Sequence, residues 1–309
     1  NDIQSALKSF NSVATEYPST PEAFQAISSS RSIYIDLGQV DTYALWVNSL
    51  DYTSVSDSEL ETVTYEAAEK QYLDNNSKKA IELFNGYIVS FSNGKNVIRA
   101  HFYLAELYNI SALTANALPH YQYVCEQPIS EFTETALLRT SEILLNSENF
   151  KAVLNVLFRL ESESKNPQNR LYAQSNLMKV YFQFEDYDAS IRYAEMILKN
   201  KKTDFYIKSD AYIVTARAAM KTNNEIKARA AYLQAQAIAT GSMGAEAQYY
   251  EAYFLYSDGD YEASNESIQV LIKNFSGYKY YASKGLIIMA KNFYALGDDF
   301  QANYILENV

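Results

Sequence analysis

One short pattern returns along this chain at nearly constant intervals, and it limits the fold more than any other property. A turn containing Gly, Asp or Asn leads into an aromatic residue. Small and apolar residues then follow at spacings of four and three, the spacing of one helix face. The pattern recurs as Gly259-Asp260-Tyr261-Glu262-Ala263-Ser264 with Ile268 and Leu271 beyond it, and as Glu185-Asp186-Tyr187-Asp188-Ala189-Ser190 with Ala194 and Ile197. Looser copies are Asn149-Phe150-Lys151-Ala152-Val153 and Gly297-Asp298-Asp299-Phe300-Gln301-Ala302, the latter continued by Leu306 and Val309.

Aligning the first small residue of each such helix gives Ala6, Tyr43, Ala80, Ala117, Val153, Ser190, Ala228, Ser264 and Ala302, at intervals of 36 to 38 residues. A second helix fits between successive marks, with residues one turn apart such as Leu177, Met178 and Tyr181, or Met289, Ala290 and Phe293. Each unit is therefore a helical hairpin of about 37 residues. A hairpin of that size buries too little surface to stand alone, so each must stack on the next. Counting one leading outer helix and eight hairpins predicts 17 helices.

Composition agrees. Only nine Gly and five Pro among 309 residues imply short turns between long helices. One Cys excludes a disulfide framework, and with only two His a multi-ligand zinc site is not expected. A formal charge of −11 argues against nonspecific attraction to nucleic acid or anionic lipid. No stretch approaches the roughly 18 to 20 apolar residues of a membrane span, so direct membrane insertion by this segment is not expected. The unusual entry is tyrosine, 28 residues, an excess that a repeating fold must explain repeatedly.

The turn-and-helix segments GDYEAS and EDYDAS, with apolar residues at the right distances beyond them, resemble the second helix of the tetratricopeptide repeat family. Leu104 with Tyr108, Leu177 with Tyr181 and Met289 with Phe293 resemble its first helix. The resemblance implies an all-α, right-handed α-solenoid of antiparallel helical hairpins spanning 1–309. Residues 1–18 form the outer helix of a truncated leading repeat, and 19–309 form eight hairpins, the last cut at its end. The chain opens on Asn1-Asp2-Ile3-Gln4 and closes at Val309 inside a helical pattern, which is read as a piece of a longer protein whose further repeats are expected partners. The long repeat and the Tyr17-Pro18-Ser19-Thr20 boundary are similar to bacterial cell-envelope members, outer-membrane assembly lipoproteins and periplasmic division-coordinating proteins. A periplasmic or outer-membrane-associated location follows from that likeness, with the cytoplasm as the alternative.

Ligands of the family lie on the concave face made by the first helix of each hairpin. Carried onto this chain, that face holds Tyr65 and Tyr72, then Phe102, then Tyr172, Lys179 and Phe182. It continues through Arg217 and Lys221, then Tyr249, Tyr253 and Tyr256, and ends with Lys284, Lys291 and Tyr294. Acidic Glu69, Glu106 and Glu142 precede the basic set, so a partner would meet a charge gradient. Tyr249, Tyr253 and Tyr256 are the preferred contacts; Tyr187, Tyr261, Phe150 and Phe300 are read as wedges within their own hairpins, and most other tyrosines as packing with the hydroxyl reaching solvent.

Catalysis has little support. His101 and His120 are read as packing or surface residues, Cys125 as a small apolar filler, and Glu161 with Glu163 as a solvated helix end. No phosphate loop, nucleophile elbow or zinc-protease motif is present, and no cofactor is expected. The expected function is a non-catalytic protein-interaction scaffold that binds an extended peptide or helix of a partner in its concave groove, within a cell-envelope assembly. The alternatives are a structural spacer in a longer repeat protein and a glycan-binding surface.

Overall fold

The computed structural model describes residues 2–308, so Val309, an expected apolar position of the last helix, lies outside the described residues. The fold is all-α. The chain divides into two compact units, one ending at Glu148 and the other beginning at Asn149.

The first unit holds α1 (Asp2–Glu16), α2 (Pro21–Leu37), α3 (Val40–Asn48), α4 (Asp57–Leu73), α5 (Ser77–Ser90), α6 (Val97–Ile110), α7 (Thr114–Glu126) and α8 (Thr133–Asn146). The second holds α9 (Phe150–Glu163), α10 (Pro167–Gln183), α11 (Tyr187–Lys199), α12 (Phe205–Lys221), α13 (Glu225–Ile238), α14 (Gly241–Ser257), α15 (Tyr261–Asn274), α16 (Lys279–Ala295) and α17 (Asp299–Glu307). The 17 helices of the described residues are those the spacing predicts, with the aligned marks on the odd-numbered ones. Within each unit, neighbours in sequence pack side by side. Even-numbered helices also touch one another: α2 meets α4, and α10, α12, α14 and α16 meet in succession.

The marks sit where helices cross. Tyr43, Ala80, Ala117, Val153, Ser190, Ala228, Ser264 and Ala302 are all buried, while Ala6 is half-buried beside buried Leu7. A second series runs along the even-numbered helices. Ala26, Val63, Ala100, Ala136, Ala173, Ala211, Ala247 and Gly285 each lie 17 residues before an odd-helix mark, and each is buried. Helix axes 8 to 10 Å apart leave no room for long side chains at the crossing. At Gly285 a Cβ would come 3.0 Å from Leu271 Cδ2 on α15.

One turn conformation follows every even-numbered helix that another helix succeeds. After each even-numbered helix a single residue takes the left-handed conformation: Gly38, Asn75, Ala112, Glu148, Glu185, Asn223, Gly259 and Gly297, at φ between 55° and 84°. In the turn at Glu185, its N–H reaches Phe182 O at 3.0 Å and Asp186 N–H reaches Tyr181 O at 3.0 Å, which satisfies carbonyls left open at the helix end. The same Asp186 caps the next helix, its carboxylate accepting from Ala189 N–H at 3.0 Å. Asn149, Asn224, Asp260 and Asp298 cap α9, α13, α15 and α17 in the same way. Of the two caps expected before Pro21, Ser19 or Thr20, it is Thr20 that accepts from Ala23 N–H, at 3.2 Å.

The Ser and Asp content of Asp51–Glu59 marks the place for a longer connection or a local bend, and the longest link among the described residues falls there, residues 49–56 joining α3 to α4. Ser56 caps α4 by accepting from Glu59 N–H at 3.2 Å, so Asp57 to Glu59 are already helical. Phe300 is not a wedge. It is 77% exposed. Tyr187 and Tyr261 are half-buried and meet Phe182 and Tyr256, with ring centres 5.5 and 6.1 Å apart.

Candidate protein-binding face

The tyrosine excess resolves first into structure. Tyr43, Tyr87 and Tyr232 on odd-numbered helices bury their rings and donate their hydroxyls to Glu59, Glu61 and Glu246 at 2.9 to 3.0 Å; Tyr121 does the same toward Glu106. Tyr193 reaches Glu161 at 3.1 Å, so Glu161 is an anchor and not a solvated helix end; its neighbour Glu163 pairs with Arg159 at 2.7 Å. These hydroxyls find carboxylates, where the sequence reading sent them to solvent. Burial, reinforced by the facing carboxylate, holds each phenol in its neutral form, with Tyr87 pushed up to about 12.

The predicted contact residues divide between the units. In the first, Tyr65 is a correction: it is 3% exposed, packed on Phe84 and Tyr87, and its hydroxyl is used by Glu69 at 2.7 Å. Tyr72 stacks on Tyr103 with ring centres 4.5 Å apart, and Phe102 lies 4.7 Å from Phe132. Both are half-buried. The acidic side chains there are engaged as well, Glu66 with Arg31 at 2.6 Å and Glu142 with Arg139 at 2.9 Å.

In the second unit the even-numbered helices bring most of the predicted residues together. Glu246 on α14 is the hub. It is 2% exposed, and its carboxylate accepts from Arg217 on α12 through two nitrogens, from Tyr232 on α13, and from Tyr281 on α16 at 2.8 Å. Burial pushes its pKa upward, but the Arg217 guanidinium and the two hydroxyls outweigh this and hold the carboxyl below its usual range. Arg217 is therefore a structural cation. Lys179 is another, paired with Asp210 on α12.

Around the hub lies an aromatic cluster. Tyr249 is the second correction. It is 6% exposed because α16 packs over it, with Tyr281 at 5.9 Å between ring centres and Lys284 Nζ at 4.5 Å from its ring. Burial pushes its phenol up to about 12. Tyr253 and Tyr256 are half-buried. Lys284 also lies 5.3 Å from Tyr280, and exposed Lys291 lies 5.9 Å from Tyr256. Neither lysine has a carboxylate partner among the described residues, and neither has Lys221. Tyr294 is 71% exposed on α16, and Phe182 and Tyr172 are half-buried on α10. Sequence reasoning missed Glu246, Tyr280 and Tyr281. The signal was Tyr280-Tyr281 preceding Lys284 by one turn, a spacing that puts cation and rings on one helix face.

His101 on α6 and His120 on α7 meet inside one hairpin, Nδ1 to Nδ1 at 2.8 Å, with Tyr123 stacked on His101 at 3.8 Å. Cys125 is buried beside Thr140. Among the described residues no group of three or more His, Cys, Asp or Glu could hold a metal, and no helix is long and apolar enough to cross a membrane.

No protein-family model matches the sequence, and no curated protein matches it. Among solved structures the chain is similar to the apo form of RapI, at 12% identity over 99% of this chain and 96% of that one, with a TM-score of 0.44. A tetratricopeptide repeat protein from Parabacteroides merdae is 10% identical over 85% of this chain and 98% of its own, with a TM-score of 0.38. BtubC from P. vanneervenii is 14% identical over 68% and 88%, with a TM-score of 0.38.

Proposed function

We propose that this protein is a non-catalytic interaction scaffold of the tetratricopeptide repeat type, and that the α12, α14 and α16 side of its second unit takes an extended or helical segment of a partner protein. The observation that carries the reading is the pair Lys284 and Lys291, laid on the rings of Tyr249, Tyr280 and Tyr256 without carboxylate partners in a chain of net charge −11. Four other cations of the even-numbered helices, Arg31, Arg139, Lys179 and Arg217, are by contrast spent on neighbouring acids. Lysines on aromatic faces with their charge unspent suit a partner that brings its own carboxylates.

A bacterial cell-envelope setting belongs to the same proposal and rests on the likeness of the long repeat and the Tyr17-Pro18-Ser19-Thr20 boundary to envelope members of that family. The test is a photo-crosslinking residue placed at Tyr253 or Tyr256 in the organism that makes the protein. A discrete crosslinked protein, absent when the same residue replaces Leu45, is expected. Equal labelling from both positions would count against this face. Recovery of the crosslinked complex in a cytoplasmic fraction would overturn the envelope setting.

A further inference from the structure

We infer that a cavity between α13 and α14, apart from the tyrosine and lysine cluster, receives the side chain of a partner's lysine. Ala247 of α14, a short side chain, lines a space of about 190 Å³ together with Tyr232 and Gln236 of α13. That space suits one unbranched side chain and is far too small for a helix, whose diameter is about 10 to 12 Å. Tyr232, Leu233, Phe254 and Leu255 give it apolar walls. Leu233 stands at 62% exposure, so the space is reached from solvent.

Its polar content selects charge. Glu251 lines the cavity, and one carboxylate oxygen, Oε2, accepts from Gln236 Nε2 at 2.6 Å, Gln248 Nε2 at 2.7 Å and Ser267 Oγ at 3.0 Å. Its other oxygen, Oε1, accepts from nothing among the described residues and is not enclosed. The carboxylate is thus fixed in place by three donors with one oxygen unused. The only cation lining the cavity is Arg229, and its guanidinium is consumed by Glu225 at 2.5 and 2.7 Å and Asp258 at 2.6 and 2.8 Å while it lies 4.5 Å over the Phe254 ring. The lining therefore offers one open carboxylate and no free cation around an apolar slot. An alkyl stem would cover Phe254 and Leu233, and its ammonium would donate to Glu251 Oε1.

The experiment titrates the whole chain, labelled at leucine methyls, with an acetylated, amidated peptide in which lysine is flanked by two glycines on each side. The same peptide with Nε-acetyllysine and free n-pentylammonium are the comparison probes. The expected result is saturable shifts of Leu233 and Leu255 methyls with the lysine peptide, at least about tenfold weaker with the acetylated one, as one charge-assisted hydrogen bond implies. Glu251→Gln, which keeps an acceptor for the three donors, should erase that preference. Leu233→Trp, a change at an exposed position, should block both peptides. Equal binding of the two peptides, or a preference that survives Glu251→Gln, would overturn the proposal. Binding of n-pentylammonium without the lysine peptide would overturn the lysine as source and assign the slot to a free amine.

Discussion

Arg217 and Glu246, 29 residues apart, meet through two nitrogens and two oxygens across α12 and α14, with Glu246 almost fully buried and Arg217 half open to solvent. A planar guanidinium is needed for that two-point contact. Arg217→Met should strand a buried carboxylate with only the hydroxyls of Tyr232 and Tyr281, lowering the second unit's stability by about 3 kcal/mol. Arg217→Lys should lose about half as much. Urea unfolding followed by tyrosine fluorescence reads both. A loss below about 1 kcal/mol for the methionine variant would show that the hydroxyls alone suffice.

The turns give the second prediction. Ala112, Glu148 and Glu185 hold φ values of 55° to 60°, where a Cβ meets the following carbonyl. Glycine there removes a strain of about 1 to 2 kcal/mol, partly offset by a looser unfolded chain. Ala112→Gly and Glu185→Gly should each stabilise by about 0.5 to 1 kcal/mol, whereas Gly259→Ala, at φ 84°, should destabilise by about 1 kcal/mol. Thermal midpoints that fall for the first two variants would show that their side chains matter more than their backbone.

These turns also show where the sequence was readable. At Gly259 and Gly297 the left-handed residue announces itself. At Ala112 and Glu185 the same conformation carries no local mark, because the Schellman hydrogen bonds and the crossing helices impose it. The odd-helix marks were legible since a small residue must stand at each crossing. The parallel series from Ala26 to Gly285 obeys the same rule and was overlooked only because alanine is common in any helix. The site was less legible. Tyr249, Tyr253 and Tyr256 share a face by spacing, but which of them α16 covers depends on the register of Tyr281 and Lys284, 25 or more residues away. Likewise nothing near Arg217 or Lys179 in sequence indicates that Glu246 or Asp210 neutralises it.

The even-helix seam predicts a packing penalty. Ala211 is fully buried in a cluster with Ala194 and Ile197 of α11. Ala211→Leu should force the helices apart and destabilise by about 2 kcal/mol. Leu233→Ala, on the exposed side of α13, should change stability by less than about 0.5 kcal/mol. Comparable losses from the two would remove the special status of the seam.

The histidine pair makes stability depend on pH. At 2.8 Å one Nδ1 must donate and the other accept, so the accepting ring is neutral and the two rings cannot both be charged. Burial and then the facing His120 pull His101 down to about 4, and burial lowers His120 too. The unfolded chain, titrating near 6.5, takes up protons first as pH falls. Stability from this pair is therefore complete above about pH 6.5 and is lost on the way down toward pH 4. The thermal midpoint should fall across that window, and less steeply in His101→Leu/His120→Leu. Parallel curves for the two proteins would place the acid sensitivity in the carboxylates instead.

The lysines of the proposed binding face give the most direct prediction. Lys284 rests on two tyrosine rings and Lys291 on a third, yet neither is tied to an acid, so reversing them changes recognition without breaking an ion pair. Lys284→Glu/Lys291→Glu should weaken partner binding by about tenfold to a hundredfold and reduce its dependence on salt, while helicity is unchanged. Tyr253→Ala/Tyr256→Ala should weaken binding with the salt dependence intact, because rings supply contact area and not charge. Once crosslinking has supplied the partner, its affinity at low and high ionic strength for these two variants separates the contributions. A charge reversal that leaves the affinity unchanged at both ionic strengths would remove Lys284 and Lys291 from the interface, whatever the tyrosine variant does.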